Sequence, residues 1–155
     1  MMNRKTHHEE DDLLNKRIQF KANENIGVIH LGTTSHNFGV ILNSNTEVKS
    51  LLGYDRSELV GQKVIKIMPK VYSEIHDNFI RGYLDKSDHV KLPVEKIVYA
   101  MKKDHMIIKS SLAVKIFPSA TADFQLIGFF KKYQKSEERS DIMVNLKNLE
   151  VVGIT

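Results

Sequence analysis

Apolar positions along this chain follow two different periods, and the change of period divides it. Residues 26–31 (IGVIHL) and 38–42 (FGVIL) are short β-type runs with the turn-rich TTSHN between them. They predict a hairpin with a longish loop. Residues 91–102, 106–117 and 124–132 are rich in Val, Ile, Phe and Tyr and predict three long strands. In the second of these, Leu112, Val114 and Ile116 alternate with Ser111, Ala113 and Lys115, the pattern of a half-buried strand. Lys103-Asp104-His105 is the turn between the first two strands and residues 119–123 join the last two, so the three form an antiparallel meander.

Between the two groups the period lengthens to that of a helix. Asn45 is a candidate N-cap and Gly53 a candidate stop for a short helix whose apolar face is Val48, Leu51 and Leu52. Asp55 with Glu58 three residues on forms a capping-box pattern for a second short helix ending at Gly61. VIKIMP adds one more turn, punctuated by Pro69. Residues 71–84 carry the longest helical pattern. Tyr72, Ile75, His76, Phe79, Ile80 and Tyr83 fall at steps of three and four, with Glu74, Asp77, Asn78 and Arg81 on the other side. His76 therefore lies on the apolar stripe and is expected to face inward.

The element order is two strands, several short helices ending in a longer one, then three strands. The economical arrangement is α+β: one five-stranded antiparallel sheet with the helices over one face, enclosing a space between the sheet and the long helix. Residues 1–24 read as a polar tail. Within it Leu13, Leu14, Ile18 and Phe20 have partial helical spacing, enough for a short amphipathic helix that docks on the domain or on a second copy. Residues 25–134 form the domain. Residues 135–141 (KSEERSD) are a charged linker, and the chain to 155 begins a further β element of hairpin form.

Composition adds limits rather than direction. A chain of 155 residues, 41% hydrophobic and 27% charged, suits one globular domain with tails. Zero cysteines exclude a disulfide, a thiolate zinc site and a cysteine nucleophile, and point to a cytoplasmic or cytosol-facing setting. No run approaches a membrane span and the start is too polar for a secretory signal, so membrane insertion by this chain is not expected. The net charge is +4 and the pI about 9.2. The densest basic spots, Lys102-Lys103, Lys131-Lys132 and Lys135, have acidic or apolar neighbours. A solvated surface is expected, with no nucleic-acid partner.

Sequence signatures of catalysis are missing. There is no GxxxxGK[ST] or GxGxxG phosphate loop, no HExxH and no GxSxG. The pairs His7-His8, Asp11-Asp12 and Glu137-Glu138 lie in the tail and linker, where solvated charge is the default. Asp77 adjoins His76, but neighbours on a helix point in different directions. No enzyme is expected.

The stretch NSNTEVKSLLGYDRSELVGQKVIKIMP resembles the signature of PAS domains: an Asn opening a short helix, then LLGY, then E-L-x-G, then a short helix and MP. The pattern MPxxYxxxHDxF continues it as Met68, Pro69, Tyr72, His76, Asp77 and Phe79. The Lys103-Asp104 turn and the closing IGFFKK strand, residues 127–132, also fit, so the resemblance covers residues 25–133. It implies the PAS fold, a five-stranded antiparallel sheet flanked by short helices and one longer helix. It also implies a non-catalytic module for sensing, ligand binding or protein contact, self-association included, within a larger signalling chain. The family's turn after Lys-Asp usually carries Gly. His105 stands here, a residue that accepts φ > 0 better than a β-branched one does.

The resemblance also frames the ligand. Tyr72, Ile75, His76, Phe79, Ile80 and Tyr83, with Leu112 and Val114 across from them on the sheet, are expected to line a pocket for a small molecule. Its identity is left open. Photochemistry through a cysteine–flavin adduct is excluded because no cysteine is present. In haem-binding members the histidine of this helix is the iron ligand, and His76 occupies that position. The arginines that such sensors place near the haem correspond here to Gly82 and Lys96. A buried imidazole also serves packing alone, by bonding a neighbouring backbone group. The readings are therefore a sensory or interaction module, a haem-binding gas or redox sensor through His76, and a ligand-free protein–protein interface. Signal output is expected through the outer sheet face, the N-terminal segment and the linker after Lys132. Similarity to PAS modules of large multi-pass protist proteins implies a fragment or short relative of a membrane signalling protein.

Overall fold

The first hairpin forms, but its second strand starts later than the apolar run implies. The computed structural model describes residues 25–85, 95–118, 124–134, 142–145 and 150–154. The tail with Leu13, Leu14, Ile18 and Phe20, the beginning of the 91–102 run, the 119–123 connection and the 135–141 linker lie outside the described residues. Strand β1 is Gly27–Gly32 and β2 is Ile41–Ser44. Phe38 and Val40 stay out of β2 because Gly39 sits at φ 68°, a left-handed conformation that breaks extension and that glycine adopts without a Cβ clash. The loop is held by Asn37, whose side-chain oxygen accepts from the Thr34 N–H and hydroxyl at 3.1 and 2.8 Å.

Helix α1 is Glu47–Leu52, and Gly53 closes it at φ 81° as expected. Asn45 has a different role from the one expected. The N-cap position is Thr46, while the Asn45 side chain reaches back to β1. It accepts from the Val28 N–H at 2.8 Å and donates to the Ile26 carbonyl at 2.8 Å. It thus extends the β1–β2 ladder with an amide that imitates a peptide group. Helix α2 is Arg56–Leu59, with the Asp55–Glu58 capping box present. A 3-10 turn, Val64–Ile67, follows.

The long helical pattern divides in two. Helix α3 is Lys70–Ser73 and α4 is His76–Asp85. At the junction the Ile75 N–H bonds the Tyr72 carbonyl at 3.2 Å, a three-residue step inside a four-residue ladder. The tighter step changes the rotation per residue, so apolar positions before and after it no longer share one phase.

Strands β3 (Lys96–Met101), β4 (Ile107–Pro118) and β5 (Phe124–Lys132) form the expected meander. His105 takes φ 66° in the turn between β3 and β4. The sheet order is β2-β1-β5-β4-β3, with every neighbouring pair antiparallel. Strands β6 (Ile142–Asn145) and β7 (Glu150–Ile154) pair separately as a two-stranded sheet.

One face of the large sheet supplies Ile29, Leu31, Leu126 and Phe130 to the core, and Val48, Leu52, Leu59, Val64, Ile67 and Ile80 meet them from above. Each such burial is worth about 1.5–3 kcal/mol relative to exposure. The β3–β4 turn is tied to this layer. The Lys103 N–H bonds the Leu52 carbonyl at 2.8 Å and its ammonium pairs with Glu58 at 2.7 Å. The outer edge of β2 is covered rather than left open. Ile41 donates to the Gln62 carbonyl and accepts from the Gly61 N–H, both at 2.8 Å.

Because Asn45 completes two β1 backbone groups, Asn45→Ala is expected to destabilise the domain by about 1–3 kcal/mol. Asn45→Asp keeps the acceptor and loses the donor, so it should fall between that variant and wild type. Urea midpoints at unchanged slope are the measurement.

Candidate functional site

Helix α4 lies between two surfaces and shows a different shoulder to each. At 3.6 residues per turn, His76, Ile80 and Leu84 share its underside, Asp77 and Arg81 one shoulder, and Phe79 and Tyr83 the other. Ile80 is its buried residue, 6% exposed and part of the core.

The Asp77 shoulder meets the β1–β2 loop. The Arg81 guanidinium stands 4.5 Å from the centre of the Phe38 ring. The Lys63 ammonium bonds the Phe38 carbonyl and lies 3.8 Å from the Asp77 carboxylate. Thr33, Ser35, Phe38, Arg81, Leu84 and Asp85 surround a shallow cleft of about 370 Å³ here.

The Phe79 shoulder faces β4. The Tyr83 hydroxyl donates to the Val114 carbonyl at 3.2 Å and so fixes the direction of that side. Phe79 lies one turn earlier on the same shoulder and is 64% exposed. Ile75 and Tyr72, nearer the junction with α3, are 44% and 39% exposed. On the sheet below, Leu112, Val114 and Ile116 pack against the core but stay half-buried.

This corrects the expectation that the whole stripe faces inward. Tyr72, Ile75, Phe79 and Tyr83 are exposed, Ile80 is buried, and His76 is half-buried. Two physical reasons account for it. The tight step at Ile75 shifts the phase, and the contacts to Phe38 and Lys63 roll α4 toward the β1–β2 loop. The buried alternation on β4 also differs. Ala113 and Ser111, on the far face, are 1% and 7% exposed, less than the large residues between them. Sequence reasoning passed over Ser110, which shares the strand face of Leu112. It is 1% exposed and its hydroxyl has no hydrogen-bond partner among the described contacts. Its parity with Leu112 was the available signal.

His76 is held neutral by its surroundings. Burial pushes its pKa below the ordinary value, and the nearby Asp77 charge only partly opposes this. Its Nδ1 is buried, with no hydrogen-bond partner among the described residues. That bears on haem. A ligating imidazole is normally oriented by an acceptor on its other ring nitrogen, and the group's propionates need cations. At the two positions corresponding to the haem sensors' arginines, Lys96 opens β3 on the exposed side and Gly82 faces open space. The residues present do not fit haem, and the geometry does not favour that reading. Among the described residues, no group of three or more His, Asp and Glu is placed to hold a metal ion.

A histidine whose folded pKa is depressed resists the proton that the unfolded chain takes up as pH falls through about 6.5. His76 therefore contributes stability above that pH, lost as the pH drops toward its folded value. The urea midpoint should be lower at about pH 5.5 than at 7.5. In His76→Gln the difference between the two should shrink.

No family model matches the chain. Its fold has clear parallels among solved structures. A PAS domain from Colwellia psychrerythraea superposes with a TM-score of 0.58 at 13% identity, covering 70% of this chain and 86% of that one. The PAS domain of an HTR-like protein from Haloarcula marismortui gives 0.57 at 14% identity, over 81% and 94%. A blue-light activated histidine kinase from Erythrobacter litoralis gives 0.54 at 15% identity, over 75% of this chain and 35% of the kinase. Strand order, the run of short helices and these superpositions agree: the chain has the PAS fold.

Proposed function

We propose that this chain is a sensory PAS module, non-catalytic by itself, that takes a small apolar molecule between α4 and the inner face of the sheet. One observation carries the reading. Phe79 and Tyr83 on one shoulder of α4, and Ile75 and Tyr72 just before it, are exposed apolar side chains, while Leu112, Val114 and Ile116 on β4 stay half-buried. A helix flank of this kind is more costly to leave in water than to cover, and a ligand lodged there would cover both surfaces at once. The sensory assignment draws further support from the histidine kinase among the fold neighbours.

The mechanism follows from how α4 is held. Its ligand-side shoulder is pinned by the Tyr83 hydroxyl, while its other shoulder leans on Phe38 and Lys63. A molecule that binds one setting of the helix better than another shifts the population between them. The shift passes to the segments that flank the sheet, and from there to a protein partner or a second copy. No helix among the described residues is long and apolar enough to cross a membrane. The module acts on the cytosolic side, as part of a larger signalling assembly.

The test uses 1-anilinonaphthalene-8-sulfonate as an apolar probe. Saturable binding near one per chain is expected. Phe79→Ser should weaken it about tenfold, the equivalent of about 1.4 kcal/mol. Val114→Trp, which adds bulk on β4 beneath the helix, should do the same while circular dichroism stays unchanged. Binding that ignores both substitutions would place the probe elsewhere and overturn the site.

A further inference from the structure

The shoulder of α4 that leans on the β1–β2 loop borders a cleft that the site beside Phe79 does not use. Its volume is about 370 Å³, and its walls are Thr33, Ser35, Phe38, Arg81, Leu84 and Asp85. That is the small end of the range for ligand sites, about 300–1,000 Å³. The lining brings together a cation, an anion, hydroxyls and apolar side chains. The Thr33 hydroxyl is already committed, since it donates to the Phe124 carbonyl. Along the shoulder, Asp77, Arg81 and Asp85 follow one another at steps of four. Lys63 stands 3.8 Å from the first of these carboxylates. Among the described residues, no ion pair or side-chain hydrogen bond engages the Arg81 guanidinium or the Asp85 carboxylate.

The Arg81 guanidinium does meet the Phe38 ring, 4.5 Å from its centre. A ring attracts the charge but takes up little of the hydrogen-bonding capacity, so the N–H fork remains for a planar carboxylate. Asp85 closes α4, and the last turn of that helix has no basic residue. The carbonyl end of a helix is itself negative, so Asp85 and the end of α4 both favour a cation. Arg81 precedes Asp85, and a cation N-terminal to its anion is the weaker order for such a pair within one helix. Each charge is then better answered by a group from outside. A simple anion at Arg81 would meet Asp85, and a simple cation at Asp85 would meet Arg81. A small molecule that carries both signs answers both, and Phe38 and Leu84 offer the rest of it an apolar wall.

We propose that this cleft binds a free α-amino acid with an apolar side chain. Its carboxylate sits on Arg81, its ammonium on Asp85 and the carbonyl end of α4, and its side chain against Phe38 and Leu84. Arg81 is also a contact that holds α4 to the β1–β2 loop. An occupant bonded to Arg81 and Asp85 together stiffens that side of the helix, opposite the shoulder of Phe79. The site is chemically separate from the one beside Phe79 and does not need it filled.

Calorimetric titration of the full chain with L-leucine, L-methionine and L-phenylalanine tests this. At least one of them is expected to bind saturably, at about one per chain, with a dissociation constant of about 1 mM or below. For whichever binds, the matching carboxylic acid without the ammonium and the matching amine without the carboxylate should each bind at least about tenfold more weakly. Arg81→Gln and Asp85→Asn should each weaken binding about tenfold as well. Both side chains are exposed, so the fold is retained, which circular dichroism checks. In Asp85→Lys the preference should reverse, with the carboxylic acid alone binding more tightly than the amino acid. No binding of any of the three amino acids at about 10 mM overturns the proposal. So does equal binding of the singly charged analogues, or binding that survives both Arg81→Gln and Asp85→Asn.

Discussion

The burial of Ile80 sets the position of α4, and the rest of the site follows from it. This side chain is the helix's fully buried residue among the described residues, and Leu84, one turn on, packs half-buried against the same core. With that point fixed, the helix can still roll about its axis. The roll is set by unequal shoulders. Arg81 over Phe38 and Lys63 beside Asp77 draw it toward the β1–β2 loop, and on the opposite side the Tyr83 hydroxyl bonds the Val114 carbonyl. Exposed ion pairs and a single neutral hydrogen bond are each worth about 1 kcal/mol or less. The helix position is therefore tuned by small terms around the apolar contacts of Ile80 and Leu84 with the core.

A helix held in this way suits the proposed sensory role. The sheet is a rigid floor, closed by the five-stranded ladder and by the Lys103 tie to α1 and α2. The apolar shoulder with Phe79 stands above it, partly uncovered. On the proposed reading, binding energy gained there would be set against weak restraints rather than against the core, so a modest ligand would change the helix setting. His76 adds a pH-dependent cost to the same helix, because burial disfavours its charged imidazole more than the nearby Asp77 carboxylate favours it. The outer face of the sheet, which carries Lys115 and Lys131 beside Ile127 and Phe129, is chemically distinct from the face under α4.

Local signals are legible in the sequence where local chemistry decides. The capping box at Asp55 and Glu58, the stop at Gly53, the left-handed turn at His105 and the three-strand meander all formed as the residues imply. Positions decided by distant partners were not legible. Asn45 looks like a helix cap until β1 is brought beside it, whereupon its amide finds two backbone groups there. The FGVIL run looks like a strand, but its glycine takes positive φ and shortens it. The stripe from Tyr72 to Tyr83 has a true helical period, but one three-residue step at Ile75 and the pull of Phe38 turn it partly outward. A hydrophobic pattern says which residues would profit from burial. It does not say which are left for a partner or ligand to bury.

Amide hydrogen exchange resolved by segment tests the central claim most directly, since it reports how firmly α4 is held without reference to any ligand. Amides of residues 78–85 are expected to exchange at least about tenfold faster than those in the centres of β4 and β5. They should slow when 1-anilinonaphthalene-8-sulfonate is saturating. Helix amides as protected as the strands, and unmoved by the probe, would mean that α4 is locked to the sheet and has no second setting for a ligand to select.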